Sequence, residues 1–514
     1  VGSTSSDLVS YLPAGTGAVA TTVQAKLRES VSVKDFGATG DGTDETTKIQ
    51  AAANAAKANN VSLIFNANGP STVYLCSGVD VAGLTVISDS GVSIKVPSVT
   101  TDTHILYCIG TAGSPITTPT KIIGLNFIGS SLSVGAVKLV YAHDIIIENC
   151  TASGFLVNSG PNVFWQVNCL NPLVIGCGVN GGENGITFES CNKATASNNT
   201  INNFWKDGVL FYTNPSSTTT TGAKSVGNTV DTFNQGDFAG RGGIQFYGVR
   251  DCSSVGDIVI DDANQTNDDT AGIRFRDCEN FTCSGYTISN CLSGLVVNHI
   301  GDYASAPHLI TRTLGSIGSG SISNFGKFGI VSSSSSSESS VSITGAHIFN
   351  GPDISLVSGS AGIDQRTEGS VAGCVFRNML CSGVSASGQV AITGNAFYNV
   401  GKGAFAVASI AVSGTASVSG NFFQDDQGSP TATYAIRVLS GGDATIGSNT
   451  YSTGVTHSTE FSSGSTMSGG TFALYRFGGV PTFSGVTINV AGLKLATNSG
   501  GVPYSYSGGA WNAL

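Results

Sequence analysis

Gly185-Ile-Thr-Phe-Glu189 returns as Gly208-Val-Leu-Phe-Tyr212, Gly243-Ile-Gln-Phe-Tyr247, Gly272-Ile-Arg-Phe-Arg276 and Gly294-Leu-Val-Val-Asn298, with weaker copies starting at Gly329 and Gly362. The spacings are 23, 35, 29, 22, 35 and 33 residues. A bare coil of 22–23 residues then carries insertions of roughly 13, 7, 13 and 11 residues. A second family, Gly373-Cys-Val-Phe376, Gly394-Asn-Ala-Phe397 and Gly420-Asn-Phe-Phe423, marks another corner of the same coil. A fixed strand motif with unequal connections implies a constant core and variable loops, and such loops gather on one face. Helical periodicity is absent, and the coils are too short for four-stranded propeller blades. The expected architecture is a parallel β-helix.

Composition agrees. The chain has 514 residues, 69 of them Gly, with 11% charged and 40% hydrophobic. Mean hydropathy is +0.16. This is too apolar for disorder and too long for one ordinary globular core. A net charge of −10 argues against nucleic acid or anionic membrane as partner. No apolar run of 18 residues exists, so membrane insertion is not expected. The chain opens Val-Gly-Ser-Thr with no Met or secretory signal, which suggests a piece of a longer product.

Six of the twelve cysteines end strand-like runs in similar contexts: Asn149-Cys150, Asn168-Cys169, Ser190-Cys191, Asp251-Cys252, Asp277-Cys278 and Asn290-Cys291. They are read as reduced thiols stacked coil upon coil. Zinc is a weaker reading: only Cys278 and Cys283 approach a ligand cluster, and there is no CxxC pair. No metal and no cofactor is expected. The histidines His104, His143, His299, His308, His347 and His457 share no metal or triad spacing.

Residues 1–30 read as a polar connector with a short amphipathic stretch at Val23 to Arg28. A strand is expected over Ser32–Phe36. A Gly-rich turn over 37–42 follows, then a helix from Thr43 to about Ala58 with Thr43 or Asp44 as N-cap. Such a helix covers the open apolar end of the first coil. The expected divisions are 1–30 connector, 31–60 N-terminal cap, 61–430 β-helix and 431–514 a small β-rich closing or trimerisation region.

The stretch Val33-Lys-Asp-Phe-Gly-Ala-Thr-Gly-Asp-Gly-Thr-Asp-Glu-Thr46 with Ile49-Gln-Ala-Ala52 resembles the opening of the pectate-lyase-like superfamily. Gly17-Ala-Val-Ala-Thr-Thr-Val-Gln-Ala-Lys-Leu27 resembles the connector that joins phage tailspike bodies to particle-binding heads. The resemblance implies an all-β, right-handed parallel β-helix with a short N-terminal capping helix. It also implies a homotrimeric tailspike on the phage virion, attached to the tail or baseplate through an N-terminal domain missing here. Its implied partner is a bacterial surface polysaccharide, O-antigen or capsule, which it depolymerises extracellularly after synthesis in the host cytoplasm. Endo-glycosidic hydrolysis by paired carboxylates is the implied activity; a polysaccharide lyase and a non-catalytic adhesin are the alternatives. In that family Asp35, Asp41 and Asp44 are turn and cap residues. No lyase calcium or arginine pattern can be aligned.

Strand alternation places the second and fourth residues of each repeat inward and the third and fifth outward. The third-position ladder is Thr187, Leu210, Gln245, Arg274, Val296; the fifth is Glu189, Tyr212, Tyr247, Arg276, Asn298. Tyr212, Tyr247, Gln245, Arg274 and Arg276, with Arg241 and Trp205, form the expected sugar-binding strip. The bland alternative is solvated β-surface with Tyr212 and Tyr247 stacked on each other. Glycosidic hydrolysis needs two carboxyl groups about 5–9.5 Å apart. Asp237 with Asp268 or Asp269 is the expected pair, with Glu189 and Asp207 in reserve. Each is an Asp or Glu near a turn, where capping its own backbone is the competing role. A structural cation is the alternative role for Asp268-Asp269, and Asp425-Asp426 is a weaker candidate for a groove between subunits.

Overall fold

The computed structural model describes residues 9–452 except 99, 131, 157–161, 218, 235, 237–239, 261–269, 304–309, 337, 353–358, 403–407 and 427–433; beyond 452 it describes 455, 457–462 and short strands over 466–513. The chain divides into two compact units, residues 1–205 with 209–211 and residues 206–208 with 212–514.

The first unit begins with a short antiparallel pairing of Ser10–Tyr11 with Thr21–Thr22 and the helix Val23–Leu27. Ser30–Ser32 pairs with the strand Ser62–Phe65. Residues 33–36 then leave the sheet as a 3-10 turn, where a strand was expected over 32–36. A reciprocal cap causes this: Ser32 Oγ accepts from Lys34 N, and Asp35 accepts from Ser32 N, both at 3.1 Å. The helix runs Thr46–Asn59 rather than from Thr43, because Asp41–Asp44 pairs in parallel with Thr72–Leu75. Asp41 and Asp44 each accept the amide two residues on, from Thr43 and Thr46, both at 3.0 Å. All three family-motif aspartates are thus turn and cap residues.

Glu45 explains the rest of the motif. It is buried and accepts from Thr39 N at 2.6 Å and Gly40 N at 2.9 Å. Gly40 has φ +65°, and a Cβ there would lie 2.3 Å from Thr72 Cγ2. The helix buries Ile49, Ala52, Ala53 and Ala56.

From residue 62 each coil gives one strand to each of three parallel sheets. In the first unit one sheet holds Val79–Asp80, His104–Ile109, Gly135–Val140, Phe164–Val167 and Ile186–Glu189. In the second unit the equivalent sheet holds Gly242–Tyr247, Ala271–Arg276, Ser293–His299, Phe328–Ser334, Ala361–Gln365 and Ser382–Ala386. The fold is a right-handed parallel β-helix, the hand that parallel crossovers take. Parallel pairing continues past the boundary expected at 430: Tyr434–Val438 pairs with Ile410–Val412 and with His457–Phe461. A small sheet with antiparallel pairings lies within 476–513.

The corners explain the cysteine contexts. Asn149, Asn168, Ser190, Asp251, Asp277 and Asn290, which precede the six cysteines, all have φ between 49° and 55°. Asn and Asp tolerate this left-handed conformation better than other residues with a side chain. The chain turns there and drops the next side chain inward. None of the twelve cysteines is in a disulfide, and all are buried.

Inward positions of the repeat are Ile244 with Phe246 and Ile273 with Phe275, all fully buried, and Phe246 stacks on Phe275 at 5.0 Å. At the other corner Phe376, Phe397 and Phe423 stack at 4.8 and 4.9 Å. The repeat's leading glycine has its own reason. A Cβ on Gly208, Gly243, Gly272, Gly294, Gly329 or Gly362 would meet the carbonyl oxygen of Gly243, Gly272, Gly294, Gly329, Gly362 or Gly383 respectively, at 2.5–2.9 Å.

Candidate functional site

Within the second unit, pairing puts Gln245 opposite Arg274 and Tyr247 opposite Arg276, then Arg274 opposite Val296 and Arg276 opposite Asn298. The two ladders are therefore in the expected register. The third-position ladder does not face solvent as expected. Gln245 is 2% exposed and Arg274 fully buried. The chain before the strand 242–247 folds back over these side chains: a Cβ on Gly240 would lie 2.9 Å from Arg274 Nη1. Gln245 and Arg274 thus form a buried polar layer outside the apolar core, while Leu210 and Val296 on the same ladder are buried and apolar.

Asp207 closes that layer. Its carboxylate is fully buried, accepts from Gly242 N at 2.9 Å, and pairs with Arg241 Nη1 at 3.1 Å. With its amide group turned toward the carboxylate, Gln245 donates to Asp207 Oδ1 at 2.9 Å and to Gly240 O at 3.1 Å. Burial raises the Asp207 pKa, opposed by Arg241, the Gly242 amide and Arg274. In this arrangement Asp207 meets protein groups, and Arg241 is the partly exposed member.

A testable sign follows from the raised pKa. A carboxyl group that binds its proton more tightly when folded gives stability that is present at low pH and lost as pH rises through the folded value. The melting advantage of the parent over Asp207→Asn is expected to shrink between about pH 4 and neutrality. Melting curves of both proteins across that range check it. An advantage that grows with pH would reverse the assignment.

Of the fifth positions in the second unit, Tyr212, Tyr247 and Arg276 are partly exposed and form the accessible strip, whereas Asn298, expected to point outward, is buried. Arg276 lies over the Tyr247 ring, 4.3 Å from its centroid, and reaches Asp302 Oδ2 at 2.8 Å. Tyr247 donates its hydroxyl to the same Asp302 oxygen, and Tyr303 meets the Tyr247 ring edge-on at 5.0 Å. Burial and the Asp302 carboxylate push the Tyr247 phenol upward, so it remains a proton donor. Tyr303 donates to Thr213 O and packs on Gly248, whose φ is +67° and where a Cβ would lie 2.7 Å from the ring. Tyr212 is half-buried, and its hydroxyl accepts from Asn214 Nδ2 at 3.4 Å.

The loop that delivers Asp302 and Tyr303 is anchored by buried groups. Asp277 accepts from Ile300 N at 2.8 Å and Gly301 N at 3.1 Å, and its Oδ1 lies 2.8 Å from His299 Nδ1. Asp302, Tyr303, Asp277 and His299 were not among the sequence candidates for the site. Only the Asp277-Cys278 corner carried a local signal. Asp302 follows Tyr247 by 55 residues and belongs to a loop outside the repeat.

The remaining candidates lie elsewhere. Glu189 and Trp205 belong to the first unit, where Glu189 Oε2 accepts from Trp165 Nε1 at 3.1 Å and Lys138 sits 4.1 Å from the Trp165 ring. Trp205 is half-buried there and donates its backbone N–H to Gly182 O. Asp425 is buried against Lys402 Nζ at 2.7 Å, whereas Asp426 beside it is exposed. Asp237, Asp268 and Asp269 lie outside the described residues.

No family model and no curated protein matches the chain. Solved structures do. A mutant tailspike protein of E. coli bacteriophage HK620 in complex with a pentasaccharide is 12% identical, with a TM-score of 0.51 over 94% of this chain and 82% of that one. Tailspike protein 3 of bacteriophage CBA120 is 12% identical, with a TM-score of 0.39 over 99% of this chain and 73% of that one. The A-module of an Azotobacter vinelandii mannuronan C-5 epimerase is 15% identical, with a TM-score of 0.37 over 84% of this chain and 97% of that one. At 12% identity the likeness to the HK620 tailspike is one of fold, and it agrees with the parallel β-helix.

Proposed function

We propose that this protein is a phage tailspike that binds a bacterial surface polysaccharide on the strip of Tyr247, Arg276 and Asp302 and cleaves it endo-glycosidically. The observation that supports this reading best is the shared anchor at Asp302, which fixes a guanidinium against a tyrosine face on the outer side of the coils. Fixed planar donors and aromatic C–H-stacking surfaces suit pyranose rings, and prior ordering lowers the entropy lost on binding.

Asp207 is a positioning residue in this reading. It pairs with Arg241 and keeps Gln245 and the 240–242 segment in place. Cleavage falls to Asp237 with Asp268 or Asp269, which precede the strands of Tyr247 and Arg276 in sequence. One carboxylic acid protonates the leaving oxygen while the other activates water or attacks the anomeric carbon. Two nearby carboxylates in a partly dry groove separate those roles by raising one pKa. A homotrimer on the virion tail is the assembly proposed, acting at the bacterial surface.

The test is digestion of a panel of purified O-polysaccharides and capsules by the full chain and by Asp237→Asn, Asp268→Asn and Asp269→Asn. Loss of a general acid or base is expected to slow cleavage by about 10²–10⁴-fold in at least two variants, with binding retained. New reducing ends mark hydrolysis; an unsaturated product absorbing in the ultraviolet marks a lyase. Undiminished cleavage in all three would discard this pair, and binding without any cleavage would make the protein an adhesin.

A further inference from the structure

Far along the second unit, four successive turns on one corner border an open groove of about 340 Å³, lined by Ser334, Ser336, Arg366, Glu368, Gln389 and Thr415 among others. Its volume is at the lower end of the range of ligand pockets. With coils about 4.8 Å apart, four turns span roughly 14 Å. From this geometry we infer a second glycan-binding site that takes a short neutral oligosaccharide.

The groove is built rather than incidental. Arg366 is clamped by Asp364 Oδ2 through Nε at 2.8 Å and Nη2 at 2.6 Å, while about half of its side chain stays exposed. Beneath it the buried Thr367 hydroxyl donates to Ser332 Oγ at 3.0 Å and accepts from Gln365 Nε2 at 3.1 Å. The serine turn is tied internally, with Ser334 Oγ reaching Ser336 O at 2.9 Å and Ser339 Oγ at 2.7 Å. Its next residue bonds back to the first sheet, Ser335 N to His299 O at 3.0 Å. Gly388 and Gly414 allow the turns to stack, since a Cβ on either would lie within 2.3 Å of a backbone oxygen on a neighbouring residue.

Against that fixed frame, the side chains of Glu368, Gln389, Ser387 and Thr415 line the groove with no hydrogen bond to other described residues. Their chemistry selects the ligand. Asp364 already neutralises Arg366, so the Glu368 carboxylate leaves the groove net negative and hostile to phosphate or uronate. Among the described residues the lining contains no aromatic or aliphatic side chain, which disfavours an apolar ligand. Hydroxyls, an amide, a carboxylate and a guanidinium edge together match vicinal sugar hydroxyls, which both donate and accept.

The site is independent of the strip at Tyr247 and Arg276, and the experiment separates them. Saturation-transfer NMR would be run with neutral gluco-, galacto-, manno- and rhamno-configured pentasaccharides, with hyaluronan oligosaccharide and inorganic phosphate as anionic probes. The proteins are the full chain, Arg276→Ala, Gln389→Ala and the double variant Glu368→Ala/Gln389→Ala, each checked for an unchanged melting temperature. At least one neutral probe is expected to bind the parent and Arg276→Ala equally, with a several-fold loss in Gln389→Ala and at least a tenfold loss in the double variant. Binding lost only in Arg276→Ala would overturn the second site while supporting the strip. The inference also fails if no neutral probe binds, if the double variant binds like the parent, or if the anionic probes win.

Discussion

Gly329→Ala is expected to destabilise the second unit by roughly 3 kcal/mol or more, with a matching fall in soluble yield. The added methyl would lie 2.5 Å from Gly362 O and 3.0 Å from Ile348 Cγ2. A clash with a flexible side chain is relieved by a rotamer change. Here the obstacle is the backbone of the next coil, itself held by parallel pairing of Ile330 with Ile363 and Val331 with Asp364. Relief requires widening one coil spacing, and that stretches hydrogen bonds in the ladder. The control is Gly113→Ala in the first unit, where a Cβ meets nothing within 4 Å and φ is not left-handed. It should be neutral or slightly stabilising through reduced freedom of the unfolded chain. Urea unfolding of the three proteins decides the matter; equal midpoints for Gly329→Ala and the parent would remove the proposed reason for the repeat's glycine.

That reason shows why the fold was legible in the sequence. A coil that repeats at fixed spacing must solve the same steric problem at each level, so Gly, the inward aliphatic and the inward Phe recur together. The left-handed corner before each of six cysteines is a similar local demand, met by Asn, Asp or Ser. Local demands leave local signatures. The start of the helix was less legible because Asp41–Asp44 has two local options, cap or strand, and Thr72–Leu75 selects the strand.

The site was legible only in part. Strand alternation correctly separates core from non-core positions, yet it cannot distinguish solvent from a second covering layer. Gln245 and Arg274 are buried because residues 240–242 and Asp207 fold over them, and no period in the sequence records that cover. The fifth-position residues Tyr247 and Arg276 keep the register that the repeat predicts. Asp302 was missed because it enters from a loop that belongs to no repeat position, anchored by Asp277 one coil away.

Asp302 therefore provides the sharpest test of the strip. Asp302→Ala frees both groups that share its Oδ2, so Arg276 loses its charged partner and the Tyr247 hydroxyl its acceptor. Charge-assisted hydrogen bonds of this kind orient side chains more than they stabilise folds, and the Asp302 side chain is 44% exposed. Thermal stability should fall by less than about 1 kcal/mol. Affinity for whichever polysaccharide the parent binds should fall about 10–100-fold, since Arg276 and Tyr247 must then be ordered at the moment of binding. Asp302→Asn can still accept from the Tyr247 hydroxyl and should lie between the two. Arg276→Lys should behave like the alanine variant at Asp302, because an ammonium on a flexible stem neither lies flat on the Tyr247 ring nor presents a planar fork. Calorimetric titration of the four proteins orders them as parent, Asp302→Asn, then Asp302→Ala with Arg276→Lys. If Asp302→Ala binds as the parent does, the strip is only a surface ion pair, and the polysaccharide must be sought on another face of the coils.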